Sequence, residues 1–384
     1  MAYYSIYPEK DATLYSHPDR VGLNTGRDEV LELLEEKSSN MEIYYPSRFI
    51  IKFKDTEIKD VLENKLSGIS TWESNCQIFS TEHQSLHSEH IIELHALSSS
   101  WDEGTGRFLN NPTSSNGVTW ELRTDTGSSA KSTWTTSSFA TGVTGSSHGH
   151  YPTSGGGTWY TGSLFKAENS FFNEDNLDLD LDVTQIVKYF SASYYQNAVY
   201  PTGIKNEGFI IKKPKQTEDD VSSSFGELQY FSVDTHTIYP PKLTFKWDDS
   251  SYSISGSSTV LNSGDIFLSL YNNKSEFQRK SKQRFRLTTR KRYPDRAFVT
   301  SSNYLDTQYL PTTSYYSLRD ATTNEIIIPF DTSYTKLSAD DGGMYFDLFM
   351  EGLQPERYYK LMFRTDNNDG INIFDEDYHF KVVR

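Results

Sequence analysis

The sequence predicts an all-β chain with minor helix, and three observations carry that prediction. Hydrophobic residues make up only 35% of the 384 positions, yet 14% are aromatic, with 26 Tyr and 23 Phe. Much of the burial must therefore come from rings, which suit half-buried pleated surfaces. Short runs of alternating apolar and polar residues recur along the chain, and Ser, Thr and Asn fill the stretches between them. At about 100–200 residues per domain, the length suggests two or three domains.

The elements follow in order. Residues 1–15 read as a short strand, clearest over 12–15, and residues 17–26 form a loop with Pro18, Gly22, Asn24 and Gly26. "EVLELLEEK" (29–37) fits a helical face through Val30, Leu33 and Leu34, or a strand face through Leu31 and Leu33. "RFIIKF" (48–53) is a strand with Phe49, Ile51 and Phe53 on one face. Thr56 is placed to cap a helix whose buried side is Ile58, Val61, Leu62 and Leu66, ended by Gly68. "NCQIFSTEH" and "HIIELHAL" read as strands paired with each other around a short turn.

Residues 124–163 hold 27 Ser, Thr or Gly in 40 positions, with Trp134, Phe139, Tyr151, Trp159 and Tyr160 spaced among them. A pure linker would lack those rings, so the stretch reads as a long decorated loop, with room for short strands. "LDLDLDVTQIVKYFSA" (177–192) starts as an alternating strand and turns helical near Thr184, with Ile186, Val187 and Phe190 facing the core. "GFIIKKP", "LQYFSVDTH" and "PPKLTFKW" are further strands, and the polar "DDSSYSISGSS" sets a domain boundary between residues 248 and 249. Beyond it, "DIFLSLY", "RFRLTT", "EIIIPF", "MYFDLFM", "YYKLMFR" and "YHFKVV" are six strands separated by turn residues, the pattern of a sandwich.

Composition limits the function classes. A net charge of −15 repels phosphate, so a nucleic-acid partner is not expected. The lone Cys76 allows no internal disulfide, which fits a reducing compartment. The first residues carry no basic stretch followed by an apolar run, so no secretion signal is expected, and no apolar run approaches the ~18 residues of a membrane span.

Several segments in series then resemble a known family. "KDATLYS" (10–16), "NTG" (24–26), "SRFIIKF" (47–53), "WDEGT" (101–105) with a later "TW" (119–120), "LDVTQIVKYF" (181–190) and "EGFIIKKP" (207–214) follow one another as in the DNRLRE (disaggregatase-related) jelly-roll domain. The resemblance implies a jelly-roll β-sandwich over 1–248 with a long Ser/Thr/Gly-rich loop, and makes 29–37 largely strand. The insertion at 124–163 departs from the family pattern. In "GLQPERYYKLMF" (352–363), Leu353, Pro355 and Tyr359 match the tyrosine-corner pattern of fibronectin type III and related sandwiches. An Ig-like or fibronectin-like β-sandwich is therefore expected over 249–384, with Tyr359 buried and its hydroxyl bonded back to the corner backbone. The whole chain resembles virion structural proteins of large tailed marine phages of the cyanomyovirus type.

Candidate chemistry is sparse. Asp102 and Glu103 are neighbours, so in extended backbone they point apart, a poor pair for hydrolysis. The alternatives for this loop are a sugar contact or a structural corner in which Trp101 caps the core, the acids accept loop N–H groups and the glycines supply turns. His83, His87, His90 and His95 cluster near Glu82, Glu89 and Glu93, but His90 and His95 fall on opposite strand faces, so ordinary surface histidines compete with a metal site. His148 and His150 lie in a Gly/Ser loop. Asp175, Asp178, Asp180 and Asp182 could hold a structural calcium, or line the solvated face of an edge strand. Residues 274–296 hold 10 of the 37 basic side chains, among them Arg279, Lys280, Lys282, Arg284, Arg286, Arg290, Lys291 and Arg292. They mark either a docking face for an acidic neighbour or a solvated face. No nucleophile elbow, phosphate loop or dinucleotide fingerprint is present, and Cys76 reads as buried and inert.

The expectation is a non-enzymatic virion structural protein of a tailed phage, an adaptor or decoration subunit of tail, neck or baseplate. No catalytic, cofactor-binding or metal residue is assigned, and no cofactor beyond the structural calcium. Its partners would be other virion subunits in a symmetric homo-oligomeric assembly, with no membrane. Its place would be the virion, assembled in the host cytoplasm. The alternative is a glycan-binding module for host-surface attachment, with Trp134, Trp159 and Tyr160 stacking on sugar rings.

Overall fold

The computed structural model describes residues 2–37, 44–84, 86, 89–110, 116–127, 131–134, 143–145, 155–194, 203–220, 224–256, 258–271, 273–293 and 307–384. The chain is all-β, built mostly of antiparallel sheets with a few short helices. It divides into two compact units.

The N-terminal unit comprises Ile6–Ser67 and Glu73–Thr244. Its main sheet runs in the order Lys166–Phe172, Glu89–Ala96, Phe209–Lys212, Tyr44–Phe53, Pro8–Tyr15, and Glu35–Lys37 also pairs with Tyr44–Phe53. Phe49, Ile51 and Phe53 share a buried face as expected, but Ile50 is buried too, because this sheet is covered on both sides. On one side the Phe49 ring meets Tyr230, and Phe209 meets Phe190 of the helix Thr184–Tyr194, both at 5.7 Å. On the other, Ala12, Leu14, Ile50 and Ile210 lie in one core with Trp101, Trp120, Trp134 and Trp159.

Several elements depart from expectation. The stretch 29–37 is strand, as the resemblance implies, in two pieces, Val30–Leu33 and Glu35–Lys37. The helix after Lys54 starts at Asp55, so Thr56 is an exposed helical residue and not the cap; Ile58, Val61, Leu62 and Leu66 are buried and Gly68 ends the segment at φ 78°. The strands Trp72–Ile78, Ser80–Gln84 and Glu89–Ala96 do not pair with each other. Each joins a different sheet, with Leu179–Asp182, Glu227–Phe231 and Lys166–Phe172 respectively. Long-range apolar matching overrides the local hairpin here, since Cys76, Ile78, Ile92 and Leu94 are each fully buried. The Ser/Thr/Gly-rich stretch contains the short strands Leu122–Asp125, Lys131–Thr133, Val143–Gly145 and Thr158–Tyr160. Phe139 and Tyr151 lie outside the described residues.

The C-terminal unit comprises Met1–Ser5, Gly68–Trp72 and Phe245–Arg384. Its continuous part starts at Phe245, not at 249, and it takes in two short stretches from earlier in the chain. Rings account for both: Tyr3 enters its core, Tyr4 meets Phe349 edge-on at 6.0 Å, and Trp72 lies 6.1 Å from Phe245. All six expected strands are present. One sheet runs Thr259–Val260, Gln308–Tyr309, Lys282–Lys291, Gly343–Phe349, Ser338–Asp340, with Ile266–Tyr271 also pairing with Lys282–Lys291. The second runs Glu276–Gln278, Gly370–Val383, Arg357–Asn367, Ser314–Asp320, Ile326–Ile328. Both sheets feed one core, where Phe346 stacks on Tyr316 at 4.4 Å and Phe277 meets Phe380 at 5.5 Å. This is a β-sandwich.

The tyrosine corner forms as the sequence predicts. Tyr359 is buried and its hydroxyl donates to the Gln354 carbonyl at 2.8 Å. Tyr359→Phe keeps the ring and leaves that carbonyl short of a donor. A loss of about 1–2 kcal/mol is expected in urea unfolding monitored on the C-terminal unit.

Candidate functional site

The loop opening with Trp101 is a structural corner. Asn24 is fully buried, and its Nδ2 donates to the Glu103 and Val118 carbonyls, both at 2.7 Å. Its Oδ1 accepts from Gly106 N at 2.7 Å. One side chain of the "NTG" turn thus holds three points of the loop 101–118. The glycines are required by contact: a Cβ on Gly104, at φ +84°, would sit 2.4 Å from the Asn24 side chain, and one on Gly26 would sit 2.2 Å from the Glu103 carbonyl. Trp101 is buried and donates through Nε1 to the Glu207 carbonyl at 3.0 Å, with Lys10 Nζ 4.2 Å from its ring centre.

The two acids separate as expected. Asp102 faces solvent. Glu103 lies 3.4 Å from Arg27 and accepts the Asp11 N–H. Burial raises its pKa, and Arg27 opposes the rise. Arg27 also lies 3.5 Å from Asp234. Asp11 is enclosed and accepts Val233 N at 2.7 Å, and burial pushes its carboxyl well up.

An ion network beneath two tryptophans is the feature sequence reading missed. Arg48 and Glu218 are both fully buried. Arg48 Nε and Nη2 meet the two Glu218 oxygens at 2.9 and 2.7 Å, and Nη1 donates to the Gly156 carbonyl at 2.8 Å. The guanidinium lies 4.8 Å from the Trp120 ring centre and 5.3 Å from that of Trp159. Lys212 sits 3.4 Å from both Glu218 and Glu93, and Lys166 lies 2.7 Å from Glu93. Burial opposes charge on Glu93, but His95, Lys166 and Lys212 outweigh it and hold the carboxyl below the usual range. A second buried pair, Lys213 and Glu35 at 3.4 Å, sits nearby in sequence, and burial lowers the lysine while raising the glutamate. Only position could have pointed here: Arg48 and Lys212 occupy buried positions of strands that are mostly apolar.

The remaining candidates disperse. His90 and His95 are not surface histidines. His90 is buried and stacks on Phe171 at 5.7 Å. His95 is buried and 3.2 Å from Glu93. Their strand is interior to the main sheet, which accounts for the burial. His83 is exposed, while His87, His148 and His150 lie outside the described residues. Among the described residues, no group of three or more His, Cys, Asp or Glu is placed to hold a metal ion. The four aspartates each have their own donor: Phe172 N for Asp175, Ser80 N for Asp178, Asn75 Nδ2 for Asp180 and Thr184 N for Asp182. Cys76 is fully buried, and burial raises its thiol pKa. Trp134 and Trp159 are 2% and 6% exposed and Tyr160 is half-buried, so the two tryptophans offer no face to a sugar.

One cleft has site-like character. A cavity of about 280 Å³ is lined by Tyr15, Asp28, Glu29, Glu32, Arg107 and Phe108, among others. The Tyr15 hydroxyl donates to Glu32, and both Asp28 oxygens accept from Phe108 N, at 2.9 and 3.2 Å. Burial raises Asp28 to about 6 and raises Glu32 as well. A carboxyl with a raised folded pKa takes up its proton on folding, so its contribution to stability falls as pH rises from about 4 to about 6. Asp28→Asn, which keeps one acceptor for Phe108, is therefore expected to gain on the parent above pH 6. The gain is on the order of 1 kcal/mol, because water screens part of the effect, and it should vanish below pH 4. Thermal melts of both proteins across that range measure it.

The basic segment lies largely exposed. Lys282, Arg284, Arg286 and Arg290 alternate along the outward side of Lys282–Lys291. Arg284 makes a bidentate bond to Asp347, at 2.7 and 3.0 Å, and Arg286 one to Asp340, at 2.7 and 2.8 Å. Lys282 lies 3.1 Å from Asp347. Arg284 sits 4.2 Å from the Tyr345 ring centre, and Arg290 4.6 Å from that of Phe267. The segment is thus partly neutralised inside its own sheet, more than its composition suggests, while Arg279, Lys280, Arg290 and Arg292 stay exposed.

No family model and no curated protein sequence matches the chain. Among solved structures, the adhesin domain of Epf from Streptococcus pyogenes aligns over 98% of both chains at 8% identity, with a TM-score of 0.18. A TM-score this low carries no argument about fold or function. Among the described residues, no helix is long and apolar enough to cross a membrane.

Proposed function

We propose that the chain is a non-enzymatic structural subunit that works through protein–protein contacts, as an adaptor or decoration subunit in the tail, neck or baseplate of a tailed-phage virion. The observation that carries the binding role is the outward face of Lys282–Lys291. Its Arg side chains are clamped by Asp347 and Asp340 and stacked on Tyr345 and Phe267. The bridges order this face in advance, so little side-chain freedom is lost on docking, while the exposed Arg279, Lys280, Arg290 and Arg292 supply the charge that steers an acidic neighbour. The virion setting rests on the sequence resemblance alone. The glycan-binding alternative is weakened by the burial of Trp134 and Trp159.

Mass spectrometry of purified virions, split into head and tail fractions, tests the reading. Stoichiometric amounts of the intact chain in the tail fraction would support it. Absence from both fractions would overturn it.

A further inference from the structure

The last strand of the C-terminal sandwich leaves a bounded gap along one edge. Gly370–Val383 pairs on one side with Arg357–Asn367. On its other side Glu276–Gln278 pairs only with Lys381–Val383. Among the described residues, no strand pairs with residues 371–377 on that side. The gap is closed at both ends: Asn368 N donates to the Asn262 carbonyl, and Asn273 Nδ2 donates to the His379 carbonyl. Residues 371–374 pair regularly with Arg357–Asn367, whereas 375–377 bulge, three residues opposite Met362 alone. At about 3.3 Å per residue, the regular part offers a slot roughly 13 Å long that ends in the bulge.

The two halves of the slot differ in chemistry. Ile371 and Ile373 are 62% and 58% exposed on one face of the strand. They lack the lysine or proline with which free edges are often protected, and the bulge lies beyond them, at residues 375–377. Asp375, Glu376 and Asp377 follow, all exposed, and Asp377 has φ 59°, which breaks the regular edge there. Lys360 pairs with both Asp375, at 2.8 Å, and Asp377, at 3.5 Å. His379 lies 3.5 Å from Asp377 as well, and Glu376 adds a third carboxylate, so the slot keeps an acidic end beside an apolar one.

We propose that residues 371–377 form a strand-addition site for an extended segment of another protein, apolar at one end and basic at the other. Antiparallel pairing, the more stable arrangement, fixes the polarity. The guest's N-terminal residues lie beside the three acids and carry Lys or Arg. Its C-terminal residues lie beside Ile371 and Ile373 and are β-branched, at alternate positions. The proposal does not depend on the virion assignment, since it concerns only the edge and the chemistry of what adds to it.

Selection of a random heptapeptide library on the immobilised full chain tests it, with the Ile373→Lys protein as the counter-screen. The expected consensus is basic in its N-terminal half and Val or Ile at alternate positions in its C-terminal half. A synthetic consensus peptide should slow amide exchange across residues 371–377 at least tenfold and leave Lys282–Lys291 unchanged. Ile373→Lys should abolish this protection, and Glu376→Lys should weaken it by severalfold. Enrichment equal on both proteins, a consensus without basic residues, or protection elsewhere would overturn the proposal. So would concentration-dependent protection of residues 371–377 without peptide, which would make the occupant a second copy of the chain.

Discussion

Arg48→Ala is expected to destabilise the N-terminal unit by about 3–5 kcal/mol, because it leaves the enclosed Glu218 without its bidentate partner and with only Lys212, which is shared with Glu93, to balance it. Glu218→Ala should cost a similar amount by stranding Arg48. The double replacement Arg48→Met with Glu218→Leu removes both charges while keeping volume, and should recover most of the loss. Chemical denaturation of the four proteins completes the cycle. If the pair acts as described, the coupling between the two sites will be large and favourable. Equal, additive losses would mean that packing against Trp120 and Trp159, and not charge, is what the site needs. Gly156 belongs to the same unit of structure: a Cβ there would lie 2.6 Å from the Trp120 ring and 2.7 Å from Arg48.

Asn24→Ala is the second large effect. It removes two donors and the acceptor of Gly106 N, leaving the Glu103 and Val118 carbonyls and that N–H enclosed. Unmade buried bonds cost about 1–3 kcal/mol each and do not add fully, so a total of about 3–5 kcal/mol is expected. Asn24→Asp separates the roles, since it retains the acceptor and loses both donors. Hydrogen exchange of Gly106 N–H would report the corner locally: fast exchange in the alanine protein with slow exchange retained in the aspartate protein is the expected pattern.

The fold was legible where physics acts over short range. Alternation marked residues 48–53, the second half of the strand Tyr44–Phe53, and all six strands expected beyond residue 249, and the spacing of Leu353, Pro355 and Tyr359 located the corner bond to Gln354. Pairing partners were not legible. The "NCQIFSTEH" and "HIIELHAL" runs look like a hairpin because turn residues separate them, yet each finds its match far away in the chain. The aromatic residues of the Ser/Thr/Gly-rich stretch looked exposed because their neighbours are polar, while Trp134 and Trp159 turn inward onto a sheet face that local sequence does not reveal. Charge pairing was hidden for the same reason. Arg48 resembles a surface arginine until Glu218 and Gly156 arrive from elsewhere, and the cations of residues 274–296 look free until Asp340 and Asp347 pair with them.

The separation of Arg48 from Glu218 bears on how the protein is made. The partners are 170 residues apart in the chain. At synthesis rates of about 5–20 residues per second, the arginine waits roughly 10–30 s for its carboxylate. Through that interval the strand Tyr44–Phe53 cannot close its charged face. The N-terminal unit must therefore emerge as an incomplete sheet and fold only after helix Lys215–Asp219 has left the ribosome.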